Sequence, residues 1–125
     1  MAITPDAKDW TWVITQRCPE CGFEGAALTP PEVAATLADN VARWRPLLEH
    51  PDVARRPSED RWSALEYACH VRDVFRIYEQ RLARMLAEDD PLFQNWDQDA
   101  TAVEDRYGEQ DPAVVADELE AAGAV

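Results

Sequence analysis

The sequence lacks any apolar run near the roughly 20 residues that a membrane-spanning helix requires. Its first residues, MAITPDAKDWTW, carry acidic side chains and no apolar core, so they do not resemble a secretory signal. The two absences together predict a cytoplasmic protein with no membrane partner. The length of 125 residues suits one domain.

Basic side chains are scarce. The chain has 12 Lys and Arg against 25 Asp and Glu, which gives a formal net charge of −13. An acidic surface repels phosphate backbones and anionic lipids, so nucleic acids and membrane surfaces are not expected as partners. The sequence also contains no Walker motif, no Gly-rich dinucleotide turn and no Gly-x-Ser-x-Gly elbow, which removes the usual signals of nucleotide-binding enzymes and α/β-hydrolases.

Helical signals dominate what is present. Thr29-Pro30-Pro31-Glu32 combines a capping box with proline at the first helical position, and predicts the start of a first helix. Pro46 is expected to kink that helix or end it early, and Pro51 to stop it. Its apolar positions recur at helical spacing and form one face, consisting of Val33, Leu37, Val41, Trp44 and Leu48.

The second helix has the clearest start in the chain. Ser63 and Glu66 form another capping box, and Trp62 and Tyr67 are placed for a hydrophobic staple. We expect this helix to run to about Glu88. Its predicted buried face consists of Tyr67, Val71, Val74, Phe75, Tyr78, Leu82, Met85 and Leu86. The charged residues that this assignment leaves mostly solvated are Arg72, Arg76, Glu79 and Arg84.

The rest of the chain predicts a third helix after a long connection. Residues 89–111 are rich in acids and are either a solvated loop with a helical turn near 99–106, or a cap over a site. Asp111-Pro112 then begins a helix that carries Val115 and Leu119 on one face. The fold class is therefore all-α: an incomplete up-down bundle of about three helices over residues 29–125, preceded by an irregular arm, residues 1–28. The wide apolar faces predict a homo-oligomer.

His70 is the first candidate for a functional residue. It lies two turns into the second helix, at the border of the predicted apolar stripe, where a side chain can point into a crevice between helices. Asp73 is spaced to orient the imidazole of a metal-binding histidine. The alternative is an ordinary histidine at a helix edge, hydrogen-bonded or solvated, because one histidine alone is not a metal site.

The second candidate is the pair Cys18 and Cys21 in Cys-Pro-Glu-Cys-Gly. Their spacing allows both sulfurs to meet one zinc ion, and Gly22 eases the turn. Unligated thiols and a redox pair are the alternatives, although no thioredoxin-like strand–helix unit accompanies the motif. The motif supplies two ligands, so Cys69, a histidine or a second chain would have to complete the set. Cys69 itself is expected to be a small buried residue.

The segment Trp62 to Asp73, WSALEYACHVRD, resembles the first metal-ligand helix of the DinB-like superfamily. That group includes the N-terminal domains of mycothiol-dependent maleylpyruvate isomerases and related bacterial thiol S-transferases. The shared pattern is a tryptophan, a capping Ser or Thr, a Glu one turn on, and a His followed by an Asp. The stretches RCPECGF and PLFQNWDQDATAVEDRYGEQDP are similar to an actinobacterial subgroup, and the resemblance covers roughly residues 8 to 122.

The resemblance implies a four-helix bundle in which three histidines hold a divalent metal, zinc or nickel, with His70 as the first. The other two belong to an H-x-x-x-H pattern on a fourth helix, for which this sequence has no matching positions. The implied activity is a metal-dependent transferase or isomerase that uses a low-molecular-weight thiol and a small-molecule substrate, inactive if the short chain acts alone. The alternative is a non-catalytic zinc-binding or self-assembling helical domain that uses Cys18 and Cys21.

Overall fold

Four α-helices form the fold in the computed structural model, which describes residues 3–4 and 7–124. The helices are α1 (Pro30–Leu48), α2 (Ala64–Ala87), α3 (Gln98–Glu104) and α4 (Pro112–Gly123). Single 3-10 turns occur at Thr11–Ile14, Gly25–Ala27 and Tyr107–Glu109. Within the described ranges there is no β-strand, so the all-α prediction is confirmed.

The helix starts follow the local signals in the sequence. In α1 the Glu32 amide donates to Thr29 Oγ1 (3.4 Å), and the Thr29 amide donates to the Glu32 carboxylate (2.8 Å). The same reciprocal pair joins Ser63 and Glu66 at the start of α2, at 3.1 and 3.2 Å. The carboxylate of Asp111 accepts backbone amides at the start of α4. Each bond satisfies a backbone donor that the first helical turn leaves unpaired.

Helix α4 packs against both α1 and α2. Its inner face contributes Val115 and Leu119, both fully buried as the sequence predicted. The hydrophobic core that forms around it consists of Leu48, Val53, Leu65, Ala68, Cys69, Tyr107, Val115, Ala116 and Leu119. The predicted staple is also present, with the rings of Trp62 and Tyr67 5.3 Å apart.

The prediction of about three helices is wrong by one. The additional helix, α3, lies in the long acidic connection, where the Asp97 carboxylate caps it by accepting the Ala100 amide (3.0 Å). The turn expected near residues 99–106 is thus part of a short helix. Its seven residues are too few for a hydrophobic periodicity to be read from the sequence.

The predicted buried face of α2 is wrong over most of its length. Tyr78, Leu82, Met85 and Leu86 are exposed, Leu86 at 82%. The buried side of α2 instead carries Leu65, Glu66, Ala68, Cys69, Arg72 and Asp73. The physical reason is that the 12-residue α4 and the Tyr107 turn pack against the first half of the 24-residue α2, on a side that includes charged residues. Arg72, which was expected to be solvated, is 3% exposed.

Helix α1 behaves much as its sequence indicates. Pro46 lies inside its last turn and the helix ends at Leu48, before Pro51. Only the second half of its apolar face is covered: Leu48 is buried, while Val33 and Leu37 are exposed. Ahead of α1, the rings of Trp10 and Trp12 stack on each other with centroids 5.9 Å apart. No helix among the described residues is both long enough and apolar enough to cross a membrane.

Candidate functional site

His70 lies between two tryptophan rings. Trp62 precedes the cap of α2 and places its ring centroid 5.5 Å from the imidazole. Trp96 comes from the connection between α2 and α3, and stacks almost parallel to the imidazole, with centroids 5.7 Å apart and an interplanar angle of 7°. The connection therefore covers this part of α2 rather than extending into solvent. The two contacts restrict the orientation of the imidazole, and the parallel Trp96 ring covers one of its faces.

One imidazole nitrogen is left without a partner. His70 Nδ1 is buried and makes no hydrogen bond to any residue that the structure describes. Asp73, which was expected to orient the imidazole, does not do so at this atom. Its carboxylate accepts Arg72 Nε (2.9 Å) on one oxygen and the hydroxyl of Tyr107 on the other. Buried polar atoms without partners are rare in folded proteins, so this nitrogen requires an explanation.

The surroundings of His70 favour a neutral imidazole. Burial lowers its pKa below the ordinary value of 6.5, although the negative charges of Asp73 and Asp99 act in the opposite direction. At neutral pH the ring therefore carries a lone pair on one nitrogen. A neutral imidazole with a free nitrogen is the form of histidine that binds metal ions.

A small cavity of about 270 Å³ opens beside His70, with Asp60, Tyr67 and Asp99 in its wall. A second cleft of about 530 Å³ shares Trp62 and Asp99 with it, so the two lie side by side. His70 itself lines only the smaller of the two spaces. Both are open to solvent, and their lining mixes aromatic, acidic and arginine side chains.

The three-histidine site implied by the family resemblance is not formed by this chain. Among the residues whose structure is described, no group of three or more His, Cys, Asp and Glu side chains is arranged to hold a metal ion. His50 is exposed, and its Nδ1 accepts the Asp52 amide (3.1 Å) just after α1. The described residues therefore give His70 no complete set of three metal ligands.

Cys18 and Cys21 form a tight turn ahead of the helices. Both thiols are free; Cys18 is buried and Cys21 is exposed. The Gly22 amide donates to the carbonyl oxygen of Cys18 (2.8 Å), and Gly22 adopts a left-handed conformation with φ +79°. The backbone amides of Cys21 and Glu20 donate to the Cys18 sulfur and lower the pKa of this thiol. The turn thus stabilises a thiolate at Cys18.

Cys69 belongs to the core, as the sequence predicted. It is fully buried, and its thiol lies 3.8 Å from the carbonyl oxygen of Tyr107. Burial raises its pKa to about 11. A buried thiol with a raised pKa is a poor nucleophile and a poor metal ligand, because both roles need the thiolate.

A buried charged network was missed at the sequence level. Arg72 donates to Asp73 and to Gln110 Oε1 (2.7 Å), and lies 3.5 Å from the Glu118 carboxylate. The Tyr107 hydroxyl completes it by donating to Asp73, and burial raises the pKa of that hydroxyl. The adjacent opposite charges of Arg72 and Asp73 were the only hint in the sequence. The network joins α2 to the Tyr107 turn and to α4.

Comparison of the chain with protein-family models finds no matching family, and comparisons with curated proteins and with solved structures find no match either. The fold class established here is a small all-α domain of four helices among the described residues.

Proposed function

We propose that this chain is a divalent-metal-binding domain of the DinB-like type, with His70 as its metal ligand. The observation that carries the proposal is the buried His70 Nδ1, which has no hydrogen-bond partner in the described chain. The family role of metal-dependent thiol S-transferase or isomerase is the activity that we propose for the complete assembly. Its reactant would be a low-molecular-weight thiol, with a small-molecule substrate entering the cleft beside Trp62.

The free nitrogen is costly if nothing binds it. Leaving a buried polar atom unsatisfied costs about 1–3 kcal/mol, whereas a metal ion or a ligand donor at Nδ1 would recover that loss. Trp62 and Trp96 both pack against the imidazole, with ring centroids 5.5 and 5.7 Å away, and so restrict its orientation. The free-energy cost of leaving Nδ1 without a partner supports a binding role for His70.

The chain's own residues supply the setting for such a ligand. Burial keeps the imidazole neutral, and the stacked Trp96 ring limits the access of water to it. A bound zinc or nickel ion would make a coordinated thiol more acidic. Because the described residues form no group of three ligands, at least part of the remaining donor set would come from a second chain or from the small molecules themselves. We therefore assign no catalytic residue within this chain.

The test is metal binding in a variant without the cysteine turn. In the background Cys18→Ser/Cys21→Ser, metal-free protein is titrated with nickel and with zinc in a calorimeter. We expect binding that is lost in His70→Ala and retained in the matched control His50→Ala, which removes the other histidine at an exposed position. Circular dichroism checks that each variant is folded. Equal binding in the two variants, or no binding in the background protein, would refute the role of His70.

A further inference from the structure

We propose that Cys18 and Cys21 form half of a tetrahedral zinc site, and that the same two cysteines of a second copy of this chain complete it. This inference is independent of the proposal for His70, since it concerns different residues and a different part of the chain. Structural zinc sites are closed by four protein ligands, and four cysteine sulfurs are one of the common sets. The Cys18–Cys21 turns of two copies related by a two-fold axis supply those four sulfurs.

The turn is built to present sulfur. Two successive backbone amides, those of Glu20 and Cys21, point at the Cys18 sulfur, and a thiolate is the acceptor that such donors favour. The Cys18 amide donates to the carbonyl oxygen of Phe23 (2.8 Å), which closes the turn on itself. The left-handed Gly22 makes the reversal possible, because side-chain-bearing residues avoid that conformation.

The two cysteines lie three residues apart in one tight turn, which the Gly22 amide closes by donating to the Cys18 carbonyl oxygen (2.8 Å). Both thiols are free rather than joined as a disulfide. Zinc would replace the thiol protons, which are released to solvent, so binding strengthens as pH rises. The guanidinium of Arg17 lies against Gly22, where a Cβ atom would meet its Nη2 at 3.3 Å. This cation would offset part of the negative charge of four thiolates.

No other ligand within the described chain can complete the set. Cys69 is fully buried among the helices, His70 packs against Trp62 and Trp96, and His50 lies just after α1. No group of three His, Cys, Asp or Glu side chains in the described ranges is arranged to hold a metal ion, so the turn stands as a two-ligand site. Because Cys21 is exposed, its side of the turn is open to a second copy. Two equivalent turns related by a two-fold axis satisfy zinc without any other kind of residue.

The experiment uses the full chain with His70→Ala, so that only the cysteine turn is under test. Metal-free protein is titrated with zinc while its mass is followed by sedimentation equilibrium. We expect saturation at about one zinc per two chains, together with a doubling of the mass. The addition of Cys18→Ser and Cys21→Ser should abolish both effects, whereas the control Cys69→Ser should leave both in place.

Three results would overturn the inference: zinc binding without a change of mass, zinc binding that survives the double serine variant, and no zinc binding at all. Circular dichroism of each variant separates loss of the site from loss of the fold. Cobalt replacing zinc adds a second readout, because a tetrahedral thiolate site gives strong absorption in the visible and near-ultraviolet. Weak octahedral bands from the cobalt-loaded protein would also count against it.

Discussion

Replacing Arg72 by Met should destabilise the protein far more than the loss of one surface charge. Arg72 is 3% exposed and binds Asp73 and Gln110 within the protein. Without it, the Asp73 carboxylate keeps the Tyr107 hydroxyl and only a distant contact with Arg76 (3.5 Å). Removing one partner of a buried ion pair typically costs about 3–5 kcal/mol. Because methionine retains most of the apolar stem of arginine, the loss of stability measures the contribution of the guanidinium group.

The matched control is Arg43→Met. Arg43 forms an ion pair with Asp39 one turn away on α1, at 2.9 Å, but its side chain is 77% exposed. Such pairs contribute about 0.3–0.5 kcal/mol. Both variants remove one positive charge from a chain of net charge −13, so their effects on overall repulsion are alike.

Urea unfolding followed by circular dichroism measures the difference. The free energy of unfolding typically falls by about 1–3 kcal/mol per molar urea, so a loss of about 3 kcal/mol of stability lowers the urea midpoint by about 1–3 M. We expect Arg72→Met to show at least that loss, or to be unfolded without urea, and Arg43→Met to remain near wild type. Equal midpoints for the two variants would refute the assignment of Arg72 to a buried network.

Three further predictions concern the core, the thiols and pH. Gly123→Ala should lower the thermal unfolding midpoint even though alanine favours helices, because the added Cβ would lie 2.5 Å from Val41 Cγ2. Overpacking of this kind costs about 1–3 kcal/mol of stability. An unchanged midpoint would count against this contact. In native protein a thiol reagent should modify Cys21 rapidly and Cys69 only after unfolding, and early labelling of Cys69 would contradict its burial. Burial alone would raise the pKa of Glu66, but its hydrogen bonds to Arg56 and to the Ser63 amide lower it overall. The stabilisation from Glu66 is therefore present above its ordinary pKa and is lost as pH falls through the lowered value. Urea titrations should show the gap between wild type and Glu66→Gln narrowing from about pH 6 to pH 3, and a gap that widens would refute the sign.

The helix starts were predictable because they depend on neighbours in the chain. The two capping boxes join residues three apart, and Asp111 bonds to amides two and three residues on. The length of α2 also follows from the sequence, since it ends at Ala87, one residue before the expected Glu88. These features need no knowledge of what packs against the helix.

The buried side of α2 could not be predicted in the same way. A hydrophobic pattern places arginine outward, whereas Arg72 is buried because Gln110, 38 residues further on, accepts its hydrogen bond. Tyr107 reaches Asp73 across 34 residues. Which side of α2 is buried therefore depends on long-range polar contacts, and these give no periodic signal in the sequence.

For the candidate site, the sequence identified His70 but not its surroundings. Its place near the start of a capped helix could be inferred from spacing, and Trp96, from the stretch 89–111, lies on the imidazole. Nothing in the sequence indicated which aromatic residue of that stretch would stack there. The expected link between Asp73 and His70 failed because Arg72 and Tyr107 occupy the carboxylate.

The most direct test of the central claim is the nitrogen NMR spectrum of the imidazoles in Cys18→Ser/Cys21→Ser protein labelled in histidine, recorded with and without zinc. The chain has two histidines, so His50→Gln assigns the signals. Before zinc is added, we expect His70 to be neutral at pH 7, because burial lowers its pKa. On addition of zinc, the Nδ1 signal of His70 should move while that of His50 stays in place. A His70 signal that zinc leaves unchanged would contradict its role as a metal ligand.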